Sequence, residues 1–364
     1  MARLLSASGS SVSVITRQTG NAPARETLEG VSVTRIVSSS SFFGKLVFLA
    51  KSSVVLAAML RRGRFGVIHA VGTAALGSCV VGSLNSRPVL MTFPGLPAES
   101  MRSGDPQRLV KARARIVLRI LALFPRYLTV PSRQVVGPVV ELCGERVAGR
   151  IRVVPNPIEI EKFTPSGRAG PRERFPEILV VGGLRSRKGV GTLMKALPRV
   201  LSEYPSSRVT LVGGGSFGPA LQSTIDGLGI GKSVRMTGEV SDEQLVGQYE
   251  ESDVVVVPSL AGGEAFGYVV AEAMCMKKPV VASDTPGPAE IIRGSDCGLL
   301  FTPGDSNELA LRIMELAGND GQRTRLGENG RRYAEEHFES KRVMALFESL
   351  YQSAMGRRPS RSRL

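Results

Sequence analysis

Tryptophan is missing from the 364 residues, aromatic side chains make up only 5% of them, and cysteine occurs four times. With so few rings to stack on bases, and no nucleic-acid-binding motif, the sequence argues against a nucleic-acid partner. The cysteines, Cys79, Cys143, Cys275 and Cys297, lie far apart and share no metal-ligand spacing. They read as reduced thiols of a cytoplasmic compartment, not as a disulfide framework. The start, MARLLSASGS, lacks the sustained apolar core that precedes a signal cleavage site. No long apolar run is free of charge either. The strongest, Phe42 to Leu60, is interrupted by Lys45 and Lys51 and ends in Arg61 and Arg62. A charge inside a spanning helix costs roughly 2.5–3.5 kcal/mol, so a buried or interfacial helix is expected there.

Acidic residues are scarce in one half only. Residues 1–165 hold 22 Lys+Arg against 8 Asp+Glu, a net +14 of the +15 carried by the whole chain. Residues 166–364 are therefore nearly neutral, at +1. Such an asymmetry bears on partners and not on fold.

What the chain has in abundance is short β-branched runs. From Phe175 onward they are Ile178–Gly183, Arg208–Gly215, Ser233–Gly238, Asp253–Ser259, Lys278–Ser283 and Gly298–Phe301. Each is strongly apolar and ends in or near Gly, Pro or Ser, as buried parallel strands do. Amphipathic stretches such as Thr192–Tyr204 separate them, and that rhythm predicts a doubly wound α/β sheet. The first half repeats it less clearly, through Val12–Thr16, Val31–Val37, Phe65–Ala70, Arg87–Phe93, Arg126–Ser132 and Arg150–Asn156. Between the halves, Phe163 to Pro176 is rich in proline, glycine and arginine and reads as a linker. Gly321 to about Met355 reads as one long last helix, followed by a basic tail. Open α/β sheets bind ligands at the carboxyl ends of their strands, so two Rossmann-like domains facing across a cleft are expected.

The sharpest constellation is Glu264-Ala-Phe-Gly-Tyr-Val-Val-Ala-Glu272, directly after a buried run. Gly267, Tyr268 and Val269 should open a helix whose free backbone N–H groups favour a phosphate. Glu272 lies about one turn, ~5.4 Å, beyond that opening. That is near the distance from a nucleotide's phosphate to its ribose, whose hydroxyls a carboxylate accepts well. Glu264 would face the group on the far side of the phosphate. The alternative is a capping Glu264 and a solvated Glu272. Against it, Glu272 sits in the otherwise apolar run GYVVAEAMCM, where a carboxylate is costly. A second piece is Val180 to Gly189, VVGGLRSRKG, in which Gly183 and its neighbour let a diphosphate approach while Arg185, Arg187 and Lys188 supply positive charge. At least one of these three cations is expected to be merely solvated.

On these motifs, residues 178–340 resemble the donor half of the GT-B glycosyltransferases of the group-1 type, glycosyltransferase family 4. The resemblance runs through GGLRSRKG, TLVGGGS, VRMTGEV, DVVVVPS, EAFGYVVAEAM, KPVVASDTPGPAEII and CGLLFTPGD, and VVPNPIEIEKFTP resembles the family's interdomain segment. It implies an N-terminal acceptor-side domain over 1–165 and a nucleotide-sugar domain over 166–340. Residues 341–355 are then the end of the last helix, and 356–364 a basic disordered tail. It also implies sugar transfer from a nucleoside-diphosphate sugar with retention of configuration, without metal or other cofactor. Lys188 then contacts the diphosphate, Glu264 the sugar, the amides near Phe266–Val269 the phosphate, and Glu272 the ribose.

Three departures leave room for a non-catalytic relative that binds nucleotide sugar without transferring it. Gly183 stands where the family usually has Arg, and Pro94 where it often has His. The opening strand and Gly-rich loop of the N-terminal domain are also expected to be missing. Of the two histidines, His337 reads as surface, and His69 as either an acceptor-side catalytic residue or a structural one. Gln107 to Leu123 reads as an amphipathic helix with Arg108, Lys111, Arg115 and Arg119 on one face. This face suggests an anionic membrane surface at the inner side of the cell membrane, carrying a lipid-linked or glycan acceptor, against the alternative of a solvated helix.

Overall fold

The computed structural model describes residues 1–18, 20–39, 41–63, 65–72, 75–95, 116, 118–167, 176–260 and 264–356. The chain forms two compact units, Met1–Pro157 with Ser340–Leu364, and Ile158–Glu339. The division falls at Pro157, ahead of the Pro- and Arg-rich stretch that reads as a linker.

The first unit opens with helix α1 (Ala2–Ala7) and strands β1 (Ser13–Arg17), β2 (Arg25–Leu28) and β3 (Val31–Ile36). Next come helix α2 (Phe42–Arg62), β4 (Ile68–Val71), α3 (Leu76–Leu84), β5 (Val89–Thr92), β6 (Tyr127–Val130), α4 (Val136–Cys143) and β7 (Ile151–Val153). Its strands form two sheets. One has the order β1-β3-β2, with β1 and β3 parallel, and the other is a parallel sheet of order β4-β5-β6-β7. Among the described residues no strand pairing joins β1 to β4.

The second unit is the doubly wound half that the apolar runs predict. It contains β8 (Glu177–Val181), α5 (Val190–Glu203), β9 (Arg208–Val212), α6 (Gly218–Gly227), β10 (Val234–Gly238), α7 (Asp242–Glu251) and β11 (Val254–Val257). Helix α8 (Tyr268–Cys275), β12 (Val280–Ser283), α9 (Pro286–Ser295), β13 (Gly298–Phe301), α10 (Ser306–Ala317) and α11 (Asp320–His337) complete it. All six strands are parallel in the order β10-β9-β8-β11-β12-β13. Both faces are covered, so β11 is four buried valines with no alternation. Helix α5 buries Val190, Leu193, Met194, Leu197 and Val200 on one stripe. Helix α7 starts at a capping box in which Ser241 and Gln244 satisfy each other's backbone N–H groups.

The single last helix expected over 321–355 is corrected to two. Helix α11 ends at His337, and α12 (Ser340–Ala354) follows after a break. The break has a tertiary cause: the Ile158 N–H donates to the Phe338 carbonyl at 2.8 Å, and Ile158 bridges Glu339. Residues 341–355 are thus not the end of a second-unit helix. They belong to the first unit, where Val343, Met344, Phe347, Tyr351 and Ala354 pack with Leu90 and Val154. The expected tail lies outside the described residues beyond Gly356. All four cysteines are free and buried, and no described helix is long and apolar enough to cross a membrane.

Phe347 is central to that packing, 3% exposed and with its ring 5.4 Å from His69 and 6.2 Å from Tyr351. Phe347→Ala should destabilise the first unit by about 3–5 kcal/mol in urea unfolding, the usual cost of deleting a buried aromatic side chain. A loss below about 1 kcal/mol would show that α12 adds little to this core.

Candidate active site

The order of the second sheet reverses between β8 and β11, which both run from central positions. The loops that leave these neighbouring strands therefore emerge side by side, and they carry the two sequence motifs. Between them is an open cavity, bordered by Gly182, Gly183, Lys188, Ser259, Glu264 and Gly267 at its polar end and by valines of β8 and β11 below.

The loops lock together through backbone. Leu260 N–H donates to the Arg187 carbonyl at 2.9 Å, and Gly287 N–H to the Glu264 carbonyl at 2.9 Å. Gly189 has φ +67°, and a Cβ there would lie 1.7 Å from the Pro258 carbonyl oxygen. Only glycine fits, in conformation and in space. A Cβ on Gly287 would meet the Glu264 carbonyl at 2.4 Å. The first approach sets the two loops side by side, and the second holds the Glu264 backbone against the first turn of α9.

Lys188 Nζ donates to Glu264 Oε1, and the side chains are 24% and 17% exposed. Ser259 Oγ is 3.4 Å from the same oxygen. Here a cation and a carboxylate face one cavity and neutralise each other. Arg185 and Arg187, expected beside Lys188, are exposed and do not border the cavity. Gly183 does border it and is exposed, with no side chain to offer. Gly267 caps α8 at φ +101°, and the first amides of that helix follow it at the cavity edge. Val269 lines the cavity, whereas Phe266 is buried against Phe338 and the Tyr268 side chain is half exposed.

Glu272 is one turn along α8, beyond the residues that border the cavity and flanked by fully buried Ala271 and Ala273. Its Oε2 accepts a hydrogen bond from Tyr249 Oη at 2.7 Å. Burial pushes its carboxyl above the usual range, while the Tyr249 bond and the charge of Lys162 oppose that shift. Tyr249 did not stand out in the sequence. Its signal was an aromatic residue with a polar tip on the buried side of a mostly polar helix.

His69 is in the first unit, on β4. One ring nitrogen bonds Tyr351 Oη at 2.7 Å, the other bonds Thr92 Oγ1 at 2.6 Å, and Thr92 in turn meets Thr129. With both nitrogens engaged by internal partners, this geometry supports the structural reading of His69 over the catalytic one. Pro94, after β5, is exposed. Arg108, Lys111 and Arg115 lie outside the described residues. Arg119 is described and exposed, with Nη2 3.4 Å from the Glu141 carbonyl. Near it Ile116, Ile120 and Leu123 are exposed at 59%, 54% and 44%.

With this geometry in place, likenesses to known proteins take on meaning. The family described as glycosyl transferases group 1 matches residues 165–333, and glycosyltransferase family 4 matches residues 1–162. The chain is 35% identical over 203 residues to a D-inositol 3-phosphate glycosyltransferase of Corynebacterium jeikeium, covering 51% of this chain and 47% of that one. It is 31% identical over 174 residues to a phosphatidyl-myo-inositol mannosyltransferase of Mycobacterium leprae, covering 47% of this chain and 46% of that one. The chain thus spans about half the length of these curated relatives. Among solved structures, sucrose-phosphate synthase from Thermosynechococcus elongatus superposes with a TM-score of 0.84 at 24% identity, over 98% of this chain and 92% of the other. That likeness is one of fold.

The half-buried His69, with both ring nitrogens bonded inside the first unit, makes a pH prediction. Burial lowers it from 6.5 to about 4, so it is neutral in the fold while an unfolded chain takes up its proton below about 6.5. The depressed value means its contribution to stability is complete above pH 6.5 and is lost as pH falls toward 4. The Tm of the intact protein should therefore fall as pH drops through that window, and His69→Gln should flatten that part of the dependence. An unchanged acid slope in the variant would contradict the neutral ring.

Proposed function

The chain belongs to the group-1 glycosyltransferases of family 4, and from that premise we propose that it transfers a sugar from a UDP- or GDP-sugar to a lipid-linked or glycan acceptor with retention of configuration. The observation that carries this reading is the cavity where the β8 and β11 loops meet, with Lys188, Glu264 and the α8 amides around one space. A nucleoside diphosphate is the leaving group of such a reaction, and its charge grows as the glycosidic bond breaks. Lys188 and the amides would stabilise that charge. Glu264, released from Lys188, would hold sugar hydroxyls. A leaving phosphate oxygen on the same face would accept the proton of the incoming acceptor hydroxyl. No metal or other cofactor enters this scheme.

A second reading, nucleotide-sugar binding without transfer, draws on Gly183 and Pro94, which offer no polar side chain where the family has one. Formation of a glycosylated product, against donor binding alone, separates the two readings. Calorimetry with UDP, GDP and their sugar conjugates tests the site itself. Lys188→Ala should cost the diphosphate about 1.5–3 kcal/mol, the worth of a charged hydrogen bond, and the free nucleoside almost nothing. Equal losses for diphosphate and nucleoside would remove Lys188 from the phosphate site.

The acceptor side of the proposal is an anionic surface. It draws on the +14 of residues 1–165 and on exposed Arg119 beside exposed Ile116, Ile120 and Leu123. Both named relatives are described as acting on inositol compounds, one a phosphate and one a phospholipid. Basic residues near an anionic leaflet contribute about 1 kcal/mol each, and salt screens them. The protein should bind vesicles rich in anionic lipid, ignore neutral ones and be released by salt. Replacing Arg108, Lys111, Arg115 and Arg119 with Gln should abolish this binding and leave nucleotide affinity intact. If anionic vesicles are ignored at low salt, the lipid-linked acceptor is ruled out in favour of a soluble one.

A further inference from the structure

We propose that Tyr249 is the positioning residue of the nucleotide site: its hydroxyl aims the Glu272 carboxylate so that one oxygen is left to read the ribose. The inference rests on the reading of Glu272 as the ribose ligand and adds a residue to it. Tyr249 is 0% exposed and the largest of the fully buried side chains among the described residues, and its ring stands edge-on to Phe163 at 6.0 Å. Packing on α7 therefore fixes where its one polar atom sits. A buried phenol needs a partner, and the 2.7 Å bond to Glu272 Oε2 provides it. Oε1 of Glu272 carries no hydrogen bond among the described residues.

Two helices thus meet at one carboxylate. Tyr249 comes from α7, before β11, and Glu272 from α8, after it, so strand β11 sets their spacing. The charges around the pair act in opposite directions: Lys162 favours the ionised carboxylate, and Asp242, its ion-pair partner, opposes it. Burial favours the protonated form. The Tyr249 bond is the main influence on the other side, and it fixes direction as well as charge.

Tyr249→Phe keeps the ring and removes only the hydroxyl, so the core stays filled. Calorimetry compares UDP and GDP with their 2′-deoxy counterparts between pH 5 and 8, using whichever base the intact protein binds more tightly. The intact protein should prefer the ribonucleotide by about ten-fold, the worth of one good hydrogen bond. Tyr249→Phe should lose most of that preference. It should also weaken at a higher pH than the intact protein does, because a carboxylate without its donor takes up a proton sooner. In Glu272→Gln the pH dependence should vanish while the Tyr249 hydroxyl still has an oxygen to bond. A merely structural tyrosine would lower thermal stability and leave the ribose preference and the pH profile alone, and that result overturns the inference. If Glu272→Ala loses the preference and Tyr249→Phe keeps it, the ribose reading stands and the role of Tyr249 falls. If Glu272→Ala itself keeps the preference, both fall.

Discussion

The parallel pairing of β8 with β11, in the register Ile178 with Val254 and Leu179 with Val255, is the constraint on which the candidate site depends. It joins strands far apart in sequence, and it sits where the order of the sheet reverses. Each strand must be followed by a loop, and two loops leaving adjacent parallel strands in the same direction cannot avoid one another. Glycine decides how close they come. At Gly189 the backbone of the second loop occupies the space of a Cβ, so the loops interlock through the Leu260–Arg187 main-chain hydrogen bond, while Gly287 lets the first turn of α9 close in the same way on the Glu264 carbonyl. Lys188 and Glu264, 76 residues apart, meet as a consequence.

That meeting gives the site its electrostatics. The two charges neutralise each other over an open cavity, so neither is stranded in the unliganded protein. A ligand that carries both an anion and hydroxyl groups can replace each partner's contact at once, whereas an anion alone frees Glu264 without satisfying it. The His69 network in the first unit is of a different kind. It is neutral and internal, and it ties β4, β5, β6 and α12 together through Tyr351, Thr92 and Thr129. One arrangement is poised for exchange, and the other holds a core.

Much of the second unit was legible in the sequence because a strand buried on both faces shows as an unbroken apolar run, and β11 is four valines. Lys188, Glu264 and Glu272 were legible for the complementary reason, as charges at the ends of such runs or within them. Of the three basic residues after β8, only Lys188 faces the cavity, and nothing local separates it from Arg185 and Arg187. The difference comes from the short helical turn Ser186–Lys188 and the contact with Leu260. The break between α11 and α12 was hidden because amphipathic periodicity continues across it, and its cause is a bond from Ile158. Tyr249 was hidden likewise, since its partner is 23 residues away across a strand.

If two loops and one helix N-terminus form a single nucleotide site, one nucleotide must protect all of them together. Hydrogen–deuterium exchange on the intact protein, with and without a saturating nucleoside diphosphate, tests it most directly. Exchange should slow in both the Gly182–Gly189 and the Glu264–Glu272 segments, with the strands of the first unit unchanged. Protection of one segment without the other, while calorimetry shows the nucleotide bound, would contradict it.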